Sequence, residues 1–371
     1  MVAKGLTYPT SIAVGEDGTV YVAESGYAYG PKPSEARILK VSPEGSTAEL
    51  DDNFEEPING LAISEETLYI SHRGKITTFC LQSEQREALL TGLPSVGDHQ
   101  NNDIIVEPDG IIYFAQGTTT NAGVVGSDNF LYAWADRYPE VHDIPSRDLT
   151  LTDQMYTDVV PDTVDPTDKS FCPLRNNTRA GRNCERPGTG RWCHSSSHTG
   201  GKMTGSRSPY GLCKTDDDHM YAINLGYDDR GVRAVRSSRD WLVWVKEGSW
   251  YGWPDFAGVE SLTHERFASE RGQNRKPLIS DPPEVAPPLA RFPPRYSPIK
   301  IGTAPEEFGL GDRLLVAVFG DADPLSADLE EPVPAGVLSV NRFTGDYEWF
   351  AKNSEQPRYG RLGAILKESS M

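Results

Sequence analysis

Pro9-Thr10-Ser11-Ile12-Ala13-Val14, then Glu16-Asp17-Gly18, then Val20-Tyr21-Val22-Ala23 is the stretch that decides the fold. It reads as a short apolar strand, an acidic turn and a second strand carrying an aromatic, the signature of a β-hairpin. The unit returns four times. Pro57-Ile58-Asn59-Gly60-Leu61-Ala62 leads to Leu68-Tyr69-Ile70-Ser71, and Asn102-Asp103-Ile104-Ile105 leads through Glu107-Pro108-Asp109-Gly110 to Ile112-Tyr113-Phe114-Ala115. Pro209-Tyr210-Gly211-Leu212 leads to Met220-Tyr221-Ala222, and Pro298-Ile299-Lys300-Ile301 leads to Leu314-Leu315-Val316-Ala317. The first two copies start at 9 and 57, and the last two, at 209 and 298, leave room for another unit between them. A period near 40–50 residues built from hairpins predicts propeller blades of four strands each. The span from 9 to 350 fits about six to seven such units, so the expected architecture is a single all-β domain over 1–371, a β-propeller, with an irregular all-β sandwich as the alternative.

Composition agrees with a turn-rich globular chain. Gly 35 and Pro 28 supply breakers, and 37% hydrophobic residues suffice for a core. Lys+Arg 36 against Asp+Glu 54 gives a net charge of −18, which disfavours nucleic acid and anionic membranes as partners and suits a high-salt milieu. The longest apolar run, Leu314 to Phe319, is far too short to span a bilayer. Met1-Val2-Ala3-Lys4 leads directly into strand-like sequence without an apolar leader region. The chain as given is therefore expected in the cytoplasm, or outside the cell if a leader precedes it. Oligomeric state is not legible.

Residues 166–214 break the composition. They hold nine Lys/Arg against Asp168 and Glu185, a charge of +7 that leaves −25 for the rest, and contain no Val or Ile. Four of the five cysteines fall here, at 172, 184, 193 and 213. Three readings stay open: a zinc site from Cys172, Cys184 and Cys193 with His194 or His198, at spacings that match no common finger; an inserted loop; or translation out of register with the gene. On the last two, the segment stands outside the propeller core.

Three strings carry chemistry. Asp98-His99-Gln100 precedes the third hairpin, Asn224-Leu225-Gly226-Tyr227-Asp228-Asp229-Arg230-Gly231-Val232-Arg233 follows the fourth, and Gly248-Ser249-Trp250-Tyr251-Gly252-Trp253-Pro254-Asp255-Phe256 comes next. Together with Leu6-Thr7-Tyr8-Pro9 and the stretch from Gly302 to Gly320, they resemble the glucose/sorbosone dehydrogenase family of soluble quinoprotein sugar dehydrogenases. The resemblance spans most of 5–162 and 207–350.

That resemblance implies a six-bladed propeller holding pyrroloquinoline quinone (PQQ) on Ca²⁺, a small sugar substrate and an external electron acceptor. His99 matches the family's general base, and a neutral imidazole suits that task. Arg207, in Arg207-Ser208-Pro209, stands where the family has Arg-Asn-Pro and would stabilise the reduced quinone. Gly226 and Tyr227 match the pair whose carbonyls hold Ca²⁺, with Asp228 and Asp229 as nearby carboxylates. Arg230 and Arg233 would pair with quinone carboxylates, and Gln100 and Trp253 would line the cofactor. Phe319-Gly320-Asp321 departs from the family, which carries a basic residue there, and the sequence after Pro357 shows no further blade, so an incomplete or impaired propeller is expected.

Read without the resemblance, the same residues have plainer roles. His99 is an exposed turn residue, Asp228 and Asp229 form a solvated turn, Arg230 and Arg233 make surface ion pairs, and Trp250, Tyr251 and Trp253 are core. The alternative enzyme is a metal-dependent lactonase using Asn59, Asn102 and Asp103 as axial ligands. The alternative outside catalysis is a propeller binding module or inactive relic. No phosphate-binding Gly loop, His-Glu-x-x-His or Gly-x-Ser-x-Gly occurs.

Overall fold

The structure is a computed structural model that describes residues 3–27, 35–126, 203–270, 275–320 and 333–353, with shorter stretches between 128 and 201. Blade 1 is β1 (Pro9–Val14), β2 (Val20–Glu24), β3 (Ala36–Val41) and β4 (Thr47–Phe54). Blade 2 is β5 (Ile58–Ser64), β6 (Thr67–His72), β7 (Lys75–Cys80) and β8 (Gln85–Thr91). The third sheet has β9 (Asn101–Val106) and β10 (Ile112–Gln116), extended by the two-residue strands Ser196–Ser197 and Gly200–Gly201. Blade 4 is β11 (Ser208–Lys214), β12 (Met220–Leu225), β13 (Asp240–Val245) and β14 (Ala290–Phe292). Blade 5 is β15 (Pro298–Thr303), β16 (Arg313–Val318), β17 (Gly336–Asn341) and β18 (Tyr347–Lys352).

Every hairpin read from the repeat forms. Ile12 pairs directly with Val22 and Ile104 with Phe114. Four sheets are complete antiparallel meanders in chain order, and the fold is an all-β propeller. Among the described residues there are five inner strands, and neighbours meet in the order β1, β5, β9, β11, β15. Among those residues, no helix is long and apolar enough to cross a membrane.

The strands follow from alternation. Along β16, Leu314, Val316 and Val318 are buried while the residues between them are half-exposed, so the strand turns one apolar face into the core. The cores accordingly lie between blades. Ala13, Tyr21, Ile38, Leu61, Ile70 and Phe79 fill the space between blades 1 and 2. Tyr221, Leu242, Phe292, Leu314, Val316 and Leu338 fill that between blades 4 and 5. Each fully buried Leu or Ile contributes about 1.5–3 kcal/mol.

Around the axis the inner strands touch. A Cβ at Gly60 would lie 2.6 Å from the Asn102 carbonyl oxygen, so the Asn59-Gly60-Leu61 string needs its glycine for β5 to approach β9. Side chains lace the strands together. Asn102 Nδ2 donates to the Pro209 carbonyl at 2.8 Å, Leu212 N to Asp103 Oδ2 at 3.0 Å, and Tyr210 OH to Asn59 Oδ1 at 3.2 Å. Lys300 Nζ donates to the Asn59 carbonyl at 3.0 Å and to Asp103 Oδ1 at 2.5 Å.

The irregular segment needs a correction at its C-terminal end. Met203–Thr204 pairs in parallel with Ser249–Trp250, and Ser208–Lys214 is the inner strand of blade 4, with Met203, Leu212 and Cys213 buried. Apolar residues return at Met203, and that is enough to rejoin the core. Cys172, Cys193, His194 and His198, the zinc reading's other residues, lie outside the described residues, as does the side chain of Cys184. Cys213 is a free thiol that burial pushes up to about 12.

Candidate active site at the mouth of the propeller

Each inner hairpin carries a register shift at the end where the inner strand begins: Pro9/Ser11, Ile58/Gly60, Phe114/Gln116, Pro209/Leu212 and Pro298/Lys300. Bulges re-aim side chains, and the chemistry-bearing strings sit at this end. The third hairpin continues beyond its bulge. Gly117 N donates to the Gln100 carbonyl, His99 N to that of Thr118 and Asp98 N to that of Thr119, at 2.9, 3.1 and 2.8 Å. A Cβ at Gly117 would stand 2.3 Å from His99 Cβ, so only glycine lets the two segments run this close.

His99 is half-buried, and its Nδ1 lies 2.8 Å from the Thr118 carbonyl oxygen. A carbonyl only accepts, so Nδ1 carries the proton and Nε2 keeps its lone pair. Among the described residues nothing bonds to Nε2. Burial, then the charges of Arg207 and Arg230, hold the imidazole well below its ordinary pKa, and Asp228 offsets only part of this. His99 is therefore neutral at neutral pH, in one tautomer, with an open acceptor.

Arg207 immediately precedes β11 and is buried. Its Nε donates to the backbone and side-chain oxygens of Asn121, both at 3.1 Å, its Nη1 to the Gly226 carbonyl, and its Nη2 to Asp228 Oδ2 at 2.6 Å. Its own carbonyl accepts from Thr118 N at 2.9 Å, which joins the mouths of the third and fourth sheets. Arg230 contacts three carboxylates: Asp98 at 2.8 Å, Asp128 at 2.7 Å and Asp228 at 3.1 Å. Burial alone would raise the Asp228 carboxyl, but Arg207 and Arg230 outweigh it and hold the group below the usual carboxylate range.

The structure thus brings together His99, Arg207, Gly226, Asp228 and Arg230. Gly226 N is anchored on Asp240 Oδ1 at 2.8 Å. Among the described residues, nothing bonds to the Tyr227 carbonyl, whereas its ring is buried and its hydroxyl donates to the Phe256 carbonyl at 2.9 Å. Asp229 is turned away and accepts from the Ser269 hydroxyl. Gln100 is buried, with Nε2 on the Gly97 carbonyl at 2.8 Å, shaping the turn before His99. Trp253 is core packing, its Nε1 3.4 Å from the Asn121 carbonyl. Arg233 is not at the mouth cluster. Its side chain is 1% exposed and donates to Asp255 at 2.7 Å and to the carbonyls of Ala122, Pro254 and Lys276. It holds loops together beneath the surface, so no face remains for a quinone carboxylate.

Sequence reasoning missed Asn121, Thr118 and Asp128. Asn121 accepts from Arg207 Nε and, at 2.9 Å, from Asp228 N, and donates to the carbonyls of Asp228 and Arg230. The only signal was the run Thr118-Thr119-Thr120-Asn121, which reads as an exposed loop yet is at most 3% exposed.

The charges bear on a cofactor. Three carboxylates face two guanidiniums, a surplus of negative charge that a bound cation would offset. The Gly226 carbonyl keeps a second lone pair beside Arg207 and the Tyr227 carbonyl is open, the hard oxygen donors such a cation takes. A carboxylate-bearing quinone fits only alongside that cation. Among the described residues no group of three or more His, Cys, Asp and Glu side chains is placed to hold a metal. The alternative axial ligands Asn59, Asn102 and Asp103 do cluster, but their groups are spent: Asn59 Nδ2 donates to Asn102 Oδ1 at 3.0 Å, Asn102 Nδ2 to the Pro209 carbonyl, and the Lys300 ammonium bonds the Asn59 carbonyl and the Asp103 carboxylate that a metal would need.

No protein-family model and no curated protein matches the chain. Solved structures do. The PQQ-bound aldose sugar dehydrogenase of Streptomyces coelicolor is 14% identical over 95% of this chain and 84% of its own, with a TM-score of 0.51. The calcium structure of a family AA12 carbohydrate-active enzyme from Trichoderma reesei is 14% identical over 95% and 84%, at 0.54. The holo pyranose dehydrogenase PQQ domain of Coprinopsis cinerea is 14% identical over 96% and 81%, at 0.51. At these identities the likeness is one of fold.

Proposed function

We propose that this chain is a quinone-dependent oxidoreductase that oxidises an aldose or sorbosone-like sugar at C1, with His99 as the general base. The observation that carries the reading is the His99 imidazole, fixed on the Thr118 carbonyl with Nε2 bare and its pKa depressed. That is the state a base needs before it takes a hydroxyl proton. The propeller relatives described as PQQ-bound or calcium-containing support the choice of cofactors.

Bound PQQ would supply the two-electron acceptor for the C1 hydride, and an external acceptor would later remove the electrons. The C1 hydroxyl proton goes to His99 Nε2, the C1–H electron pair leaves with the hydride, and a lactone remains. The carbonyls of Gly226 and Tyr227 would hold Ca²⁺. Arg207 and Arg230, buried and already oriented by Asn121 and Asp228, place positive charge beside the developing negative charge without reorganising.

The test is titration of the purified protein with PQQ, with and without Ca²⁺, followed by absorbance and by dye-linked oxidation of aldoses and sorbosone in high salt. An absorbance change and turnover that need both additions are expected. Absence of both would sink the reading, and acid release from lactones without quinone would put the hydrolase in its place.

A further inference from the structure

One short loop serves both halves of the mouth. Thr118 offers its carbonyl to His99, and three residues on Asn121 holds Arg207, Asp228 and Arg230. The two residues between are gripped by a carboxylate that neither half uses. Asp143 Oδ1 accepts from Thr119 N at 2.6 Å and from Thr120 N at 3.2 Å, and Oδ2 accepts from the Thr120 hydroxyl. Next to it, the His142 carbonyl accepts from the Thr119 hydroxyl at 3.1 Å. The Thr120 oxygen in turn accepts from Gly123 N at 2.9 Å, and Thr118 Oγ1 donates to the Thr120 carbonyl at 2.8 Å. Asp143 is 2% exposed, so water does not compete for these bonds.

We infer that Asp143 is a positioning residue for His99: by clamping Thr119 and Thr120 it fixes the Thr118 carbonyl that selects the imidazole tautomer. Asp143 itself acts only through the loop. With the clamp gone, two buried N–H groups lose their acceptor and the loop must turn to satisfy them. The Thr118 carbonyl turns with it, and either ring nitrogen can then hold the proton. The inference rests on His99 being the base, but its test requires neither quinone nor sugar.

The experiment is ¹⁵N NMR of histidine-labelled, quinone-free protein at pH 8, with the His99 signals identified among the seven histidines by their loss in His99→Gln. Wild type is expected to show one tautomer, with Nδ1 protonated. Asp143→Ala should show two. Asp143→Asn keeps an acceptor for both N–H groups and should retain one. Where sugar oxidation is measurable, Asp143→Ala should lower kcat by roughly tenfold or more with KM little changed. A single Nδ1-protonated tautomer in folded Asp143→Ala overturns the assignment. Should that variant fail to fold, Thr120→Val, which removes the hydroxyl's bonds to Asp143 and to Gly123 N but leaves both N–H bonds to Asp143, must show the second tautomer, and its absence there overturns the assignment equally. Two tautomers in Asp143→Ala from a protein that oxidises no sugar would keep the positioning role and defeat the dehydrogenase reading instead.

Discussion

One polar layer lies on the inner strands and a second in the segments that flank them at the mouth, and they differ in what is left open. The axial layer, Asn59, Asn102, Asp103, Tyr210 and Lys300, balances one ammonium against one carboxylate and spends its groups on neighbouring strands. The mouth layer, His99, Asn121, Arg207, Asp228 and Arg230 with Asp98 and Asp128, is equally well bonded but ends on a bare imidazole nitrogen and an open carbonyl, with three carboxylates against two guanidiniums. Burying polar groups therefore does not mark a site here. Unspent acceptors beside unbalanced charge do, and by that measure the axis is spent on structure while the mouth keeps the groups that the proposed chemistry needs.

The contrast can be sharpened first by pH. Burial pushes the Asp143 carboxyl up to about 7, from an ordinary value near 3.8. Between these values the folded protein keeps a proton that the unfolded chain has lost. The stability it gains is present below pH 4 and is lost as pH rises through 7. Asp143→Asn cannot ionise, so its stability relative to wild type should climb between pH 4 and 7, by up to about 4 kcal/mol at pH 8. Urea unfolding at a series of pH values checks this, and a flat difference would contradict it.

At the axis, Asp103→Ala strands the Lys300 ammonium and the Leu212 N–H. A loss of about 3 kcal/mol is expected in urea unfolding, with quinone binding unchanged in the folded fraction. Lost binding without lost stability would reverse the roles of the two layers. The smallest effect belongs to Gly117→Ala, whose methyl meets His99 Cβ. Overpacking should cost about 2 kcal/mol and move the imidazole, lowering turnover more than KM. Equal turnover in that variant would show that the His99 backbone has room to spare.

Much of the frame was legible in the sequence because alternation and turn chemistry are local. Ile12–Val22 and Ile104–Phe114 follow from period two and an intervening Asp-Gly turn. The strings around His99, Arg207 and Gly226-Tyr227-Asp228 were legible as motifs, and the fold brings them to one end of the propeller. Arg233 and Trp253 belong to the same strings, yet adjacency in sequence does not settle which way a side chain faces once the chain turns at Gly231 and Gly252. Arg233 went under the loop to Asp255. Asn121 and Asp143 were invisible because their role is to satisfy backbone groups more than a hundred, and more than twenty, residues away. Such partners have no period.

The most direct test of the central claim sets the two layers side by side. Dye-linked aldose oxidation should be measured with saturating PQQ and Ca²⁺ for wild type, His99→Gln and Lys300→Gln, with unfolding followed in parallel. The account predicts that His99→Gln loses two to four decades of turnover at nearly unchanged stability, while Lys300→Gln unfolds more easily and keeps its turnover when folded. Full turnover in His99→Gln, or its loss only in Lys300→Gln, would contradict it.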